Sequence, residues 1–227
     1  MTLLFVHGAG CTGEVFEAQL RAFAHALAPN LPGHLCAGAP ESIGDFADAV
    51  NEFVREHGLG HVVLAGHSMG AAIAIETALR KPAWLRGAIL IGGGPRMRVA
   101  PAFLDGLAGD FERTARTIAG YFFAEGSAER VDAAVAMMRR VGQEQTLRDF
   151  RACNDFDALE RLEEISVPVL ALGGEADKLT PAKHAAALAD RVPGAAARII
   201  PGAGHFVMAE RPAETNESIA AFLAGLS

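Results

Sequence analysis

The chain has no cysteine pair, no long apolar run and no cluster of positive charge, and each absence removes a class of function. Cys11, Cys36 and Cys153 are an odd number, and none belongs to a Cys-x-x-Cys pair. Neither a disulfide framework nor a zinc knuckle is expected, and the thiols read as buried and free. No His, Asp or Glu cluster stands at metal-ligand spacing, so no metal is expected. No window of about 18 apolar residues exists, so no segment is expected to span a bilayer. The formal net charge is -7 and Lys and Arg are scattered, which disfavours nucleic acid and polybasic membrane contacts. Met1 leads at once into a strand-like run, with no charged n-region or small-residue cleavage site, which reads as cytoplasmic.

The chain is rich in core. Hydrophobic residues make up 51% of its 227 residues and charged residues 21%, enough for one large domain or a domain with an insertion. The runs 2–6, 61–66, 85–93, 167–174 and 196–202 are nearly continuous in apolar residues. Such runs predict strands buried on both faces, as in a parallel sheet. Residues 25–33 predict a weaker strand, and Pro29 suits it to an edge. Helical spacing marks 14–27, 43–57, 69–81, 181–192 and 212–225, with Ser42 or Gly44-Asp45 as the cap of the second. Strand and helix alternating in this order predict an α/β fold. From Pro95 to about Ile165 the pattern is helical with no strand, too long for a bare loop. The expected organisation is therefore a core of 1–94 and 166–227 with a helical cap, 95–165, inserted in it.

The chemistry concentrates in a few loops. Gly66-His67-Ser68-Met69-Gly70 lies between a strand and a helix. This is the G-x-S-x-G pattern, in which a sharp turn lifts a serine Oγ above the sheet edge as a nucleophile. A serine nucleophile needs a base. Of eight histidines, only His205 follows a late strand, on a Gly-Ala-Gly approach that lets an imidazole lean back over the sheet. The base needs a carboxylate to fix its tautomer. The loop after 167–174 offers Asp177 and Glu175. Asp177 is preferred because it lies further past the strand end, and Glu175 is the alternative.

The opening stretch "LLFVHGAGCTG" contains Gly8-x-Gly10-x-x-Gly13, a spacing also used to cradle a dinucleotide. That use requires an Asp or Glu about 20 residues on, and residues 26–40 contain neither. No cofactor is therefore expected. His7 is expected either to brace this loop by a hydrogen bond or to be inert in it. Cys11, or Cys36 beside His34, is outside any elbow and reads as structural.

The segments "FVHGAG", "LPGH", "GHSMG", "GGEADKLTP" and "GAGHFVMAERP" together resemble the α/β-hydrolase family over nearly the whole chain. The resemblance implies an α/β-hydrolase fold: a mostly parallel sheet of about six strands with a helical cap insertion. It implies Ser68 as nucleophile, Asp177 as acid and His205 as base, with the backbone N–H groups of Ala9 and Met69 as the oxyanion hole. Members usually carry two antiparallel strands before the oxyanion loop. Here that loop follows the first strand directly, so six parallel strands are expected, with 25–33 at one edge and 196–202 at the other.

The expected activity is a carboxylic ester hydrolase working through an acyl-enzyme on a small-molecule substrate. The oligomeric state is left open. The alternatives are C–C hydrolysis, lactone opening or a lyase step on the same triad, or a small-molecule receptor built on the scaffold. Phe103, Phe111, Tyr121, Phe122, Met137 and Phe150 supply apolar side chains from the cap. Whether Tyr121-Phe122-Phe123 and Met137-Met138 face a pocket or pack among the cap helices is open. Only Arg96, Arg98 and Lys178 lie near the motifs as cations, so a neutral, small-to-medium ester is expected.

Overall fold

The computed structural model describes residues 1–226. Within them, six strands form one sheet in the order β2-β1-β3-β4-β5-β6. They are β1 (Thr2–Val6), β2 (Ala26–Leu27), β3 (Val62–His67), β4 (Leu85–Ile91), β5 (Val169–Gly174) and β6 (Ala196–Ile200). Every pairing is parallel. Side chains alternate across the sheet, as strand geometry requires. Leu4, Val6, Leu64 and Leu90 enter one apolar core, while Leu3, Phe5, Val63 and Ile89 enter the other. Burial on both faces explains why these strands read as unbroken apolar runs.

Several expectations change. The strand at 25–33 shrinks to Ala26–Leu27, because Pro29 and Pro32 have no N–H to extend a ladder. Run 196–202 forms β6, but four of its five residues are exposed, since an edge strand has a neighbour on one side only. The helix at 14–27 divides into a 3-10 turn, Gly13–Phe16, and a short α1, Glu17–Ala22. Cys11 and Cys153 are buried free thiols, whereas Cys36 is exposed.

The remaining core helices are α2 (Ile43–Glu56), α3 (Met69–Leu79), α8 (Lys183–Arg191), α9 (Val207–Glu210) and α10 (Pro212–Ala224). Ser42 caps α2 with a reciprocal Ser42–Asp45 capping box, satisfying N–H groups that a helix start leaves open. Helix α3 is buried at every residue but Glu76. It needs small residues to approach the sheet: a Cβ on Gly70 would collide with the Val6 carbonyl oxygen. Between β4 and β5 lie four α-helices, α4 (Pro101–Gly109), α5 (Phe111–Gly120), α6 (Ala128–Val141) and α7 (Gln143–Asp155), and then a 3-10 segment, Leu159–Glu164.

Strand order reverses between β1 and β3, since β2 lies outside β1 on one side and the later strands follow on the other. Loops at the carboxyl ends of the two strands part there and leave a crevice. The loop after β1 and the turn after β3 therefore face each other.

Candidate active site

Ser68 sits between β3 and α3 at φ 55°, ψ −113°, a conformation that side chains rarely adopt and that costs of order 1–3 kcal/mol. Its neighbours enforce it. The Ser68 N–H donates to the Ile91 carbonyl oxygen at 2.8 Å, and the Ala71 N–H donates to the Ser68 carbonyl oxygen at 2.9 Å. A Cβ on Gly66 would collide with the Gly70 carbonyl oxygen, and one on Gly8 would lie 3.1 Å from the Ser68 Cβ. The glycines thus allow three backbones to converge. Met69 opens α3, so its N–H belongs to a helix's first turn, where no intrahelical acceptor exists and the dipole is positive.

The loop after β1 is braced by His7, which is fully buried. His7 Nε2 accepts from the Leu31 N–H at 3.0 Å, while Nδ1 lies 3.0 Å from the Gly8 carbonyl oxygen. One neutral tautomer satisfies both contacts. Burial, and then the neighbouring His34, push the His7 pKa down to about 3. Of the two expectations for His7, bracing is what these contacts provide.

His205 and Asp177 meet at the carboxyl ends of β6 and β5. Asp177 Oδ2 lies 2.9 Å from His205 Nδ1. Asp177 Oδ1 accepts from the N–H groups of Leu179 and Thr180 at 2.8 and 2.9 Å. The Thr180 hydroxyl is 2.8 Å from both Asp177 Oδ2 and the Gly92 carbonyl oxygen, and its one proton serves one of them. Burial alone would raise the Asp177 pKa. The His205 ring and these hydrogen bonds outweigh it and hold the carboxyl below the usual range. Glu175 is exposed and turned away, its Oε2 accepting from the Gly202 N–H at 3.1 Å. Glu210, on α9, fixes the approach to His205. Its carboxylate accepts from the Gly204 N–H at 2.7 Å and from the Ala124 N–H at 2.9 Å. Behind the site, His67 is buried with Nε2 at 3.0 Å from the His205 carbonyl oxygen. Burial, with His205 next, lowers its pKa to about 3.

Ser68, His205, Gly8 and Ala9 line one cavity of about 460 Å³. Its far wall comes from the helices between β4 and β5 and the strand-end loops: Phe103, Phe122, Phe150, Met97 and Val99. Met137, Met138, Tyr121 and Phe123 are not among its lining residues, and the two methionines are buried in the core beneath. Arg96, Arg98 and Lys178 are all on the cavity wall. These are the same three cations that lie nearest the motifs in sequence, Arg96 and Arg98 from the segment after β4 and Lys178 from the loop after β5. Arg96 and Arg98 share Asp157 at 2.7 and 3.3 Å. Thr180 and Glu210 fall inside the segments "GGEADKLTP" and "GAGHFVMAERP" but were assigned no role from sequence, and His184, which also lines the cavity, lies in no motif.

Residues 3–218 match the model of a family described as "Alpha/beta hydrolase family". Two curated relatives are a 2-(acetamidomethylene)succinate hydrolase of Mesorhizobium japonicum, 25% identical, covering 97% of this chain and 87% of that one, and an (E)-2-((N-methylformamido)methylene)succinate hydrolase of Acinetobacter baylyi, 27% identical, covering 97% and 89%. Among solved structures, a thermophilic esterase is 30% identical with a TM-score of 0.87, covering 100% of this chain and 90% of that one.

Proposed function

The chain belongs to the alpha/beta hydrolase family, and from that premise we propose that it is a serine hydrolase acting on a small-to-medium carboxylic ester. The observation that carries this reading is that Ser68 on its strained turn and His205 line one cavity, with Asp177 2.9 Å from His205 Nδ1 on the ring's other side. With Nδ1 engaged, Nε2 is the ring nitrogen left to take a proton from Ser68 as its Oγ attacks the carbonyl carbon. Asp177 holds the tautomer and stabilises the imidazolium. The N–H groups of Ala9 and Met69 receive the tetrahedral oxyanion, each worth about 3 kcal/mol in comparable sites. The leaving alkoxide takes the proton back from His205. A water activated by the same nitrogen then clears the acyl group.

Residues 95–165 act in this reading as a cap over an acyl site lined by Phe103, Phe122 and Phe150. Apolar burial favours binding by up to ~0.8 kcal/mol per methylene until the space is full. Turnover of p-nitrophenyl esters in detergent-free buffer tests the reading. The expected kcat/KM rises from acetate to about butyrate or hexanoate and then falls. A steady rise through palmitate rejects the closed site. No turnover, with a fluorophosphonate still labelling Ser68, favours a non-ester reaction on the same triad or a receptor.

One observation favours a second reading of the substrate's charge. Arg96, Arg98 and Lys178 on the cavity wall suit a substrate with a free carboxylate, and two relatives are named for succinate derivatives. Matched esters with and without a terminal carboxylate separate the two. A preference for the acid that fades with added salt supports this reading, since exposed charges are screened.

A further inference from the structure

A second aspartate–histidine pair lies behind the loop that follows β1, and the chemistry above does not use it. Asp149 on α7 and His34 after β2 are both fully buried, with Asp149 Oδ2 2.8 Å from His34 Nε2. The same Oδ2 accepts from the Gly10 N–H at 2.8 Å, and Oδ1 accepts from the Gln145 side-chain amide at 2.8 Å. His34 Nδ1 lies 3.1 Å from the Pro32 carbonyl oxygen, so both ring nitrogens are occupied. The loop is held tightly from the same side. Gly10 has φ +63°, and a Cβ there would lie 3.1 Å from Thr146 Cγ2 and 3.3 Å from Met138 Cγ.

Gly10 follows Ala9 directly, so its N–H bond fixes the peptide plane next to the one that would present the Ala9 N–H to the cavity. A buried carboxylate is costly unless its hydrogen bonds are satisfied, and Asp149 meets that condition through this loop, His34 and its own helix. We propose that Asp149 is a positioning residue. By holding the Gly10 N–H it aims the Ala9 N–H at the oxyanion, so the helices between β4 and β5 complete the oxyanion hole as well as walling the pocket. This inference rests on the proposed roles of Ser68 and Ala9.

The test compares Asp149→Ala and Asp149→Asn with the wild type in kcat, KM and affinity for an alkyl boronic acid, which forms a tetrahedral adduct on a serine. An asparagine can keep its oxygen toward Gly10 while the Gln145 amide turns over to meet its NH2. Asp149→Asn is therefore expected to retain kcat within several-fold. Asp149→Ala is expected to lose about 100-fold in kcat and a similar factor in boronate affinity, with KM little changed. A folded Asp149→Ala protein with kcat and boronate affinity within threefold of wild type overturns the inference, as does a loss confined to KM. Should that variant fail to fold, amide exchange in the wild type decides: Gly10 is expected to be strongly protected, and exchange at open-loop rates overturns the proposal. A wild type to which the boronate does not bind at Ser68 overturns the parent reading as well, whereas tight binding that survives in Asp149→Ala overturns this one alone.

Discussion

The two aspartate–histidine pairs differ in what each imidazole has left over. His205 gives Nδ1 to Asp177 and lines a cavity with its ring. His34 has Nε2 2.8 Å from Asp149 Oδ2 and Nδ1 3.1 Å from the Pro32 carbonyl oxygen, and no part of it is exposed. The carboxylates differ in the same sense. Asp177 is satisfied by the turn that it starts, through Leu179 and Thr180. Asp149 draws its partners from three separate parts of the chain, Gly10, His34 and Gln145. In the proposed reaction one pair keeps a nitrogen for chemistry, while the other has every polar atom in contact with another segment, its own loop or its own helix. The residue types and the spacing across the pair are nearly the same, so the environment sets the role.

The comparison is tested most severely at the serine. Ser68→Ala is expected to lower ester turnover by about 10⁵–10⁶-fold, as loss of a triad nucleophile does elsewhere, with His34→Gln far less damaging to kcat. Turnover that persists in Ser68→Ala would detach the first pair from chemistry altogether. Asp177→Asn should cost about 10⁴-fold in kcat, because an amide favours the wrong His205 tautomer. Glu175→Gln should stay near wild type, since Glu175 only receives the Gly202 N–H. The reverse ranking in folded proteins would move the acid to Glu175.

The smallest effect is on stability. Burial keeps His7 and His67 neutral in the fold down to a pKa of about 3, whereas the unfolded chain protonates them near 6.5. Between those values the unfolded state binds more protons, so stability falls as pH falls. The slope approaches about 1.4 kcal/mol per pH unit for each histidine. Asp177, with its lowered pKa, withdraws further stability at still lower pH. Urea titrations from pH 7 to pH 4 should give a falling midpoint, with a shallower fall in His7→Gln. A midpoint independent of pH in that window would contradict the buried neutral state.

Legibility from sequence follows how local each feature is. The strands buried on both faces were legible because burial leaves unbroken apolar runs, and the elbow because its two glycines and serine are contiguous. The choice between Asp177 and Glu175 depended on where one loop turns, which spacing only suggested. Asp149 was not legible as a site residue, although a signal existed: Gln145, Thr146, Asp149 and Cys153 share the buried face of α7, so polar groups stand where helical periodicity demands apolar ones. Their partners, Gly10 and His34, lie more than 100 residues away in the chain. Arg96, Arg98 and Lys178 were legible as the cations nearest the motifs, but their place on the cavity wall depends on how two strand-end segments pack, which sequence distance does not carry.

The conformation of Ser68 sets a conflict between durability and work. At φ 55° a serine is held in a backbone shape that glycine adopts without strain. Relief of that strain outweighs the extra freedom that a glycine gives the unfolded chain, roughly 0.4–1 kcal/mol. Ser68→Gly should therefore melt a few degrees higher than the wild type while turning over no ester, and selection for heat resistance alone would erase the residue proposed to do the chemistry.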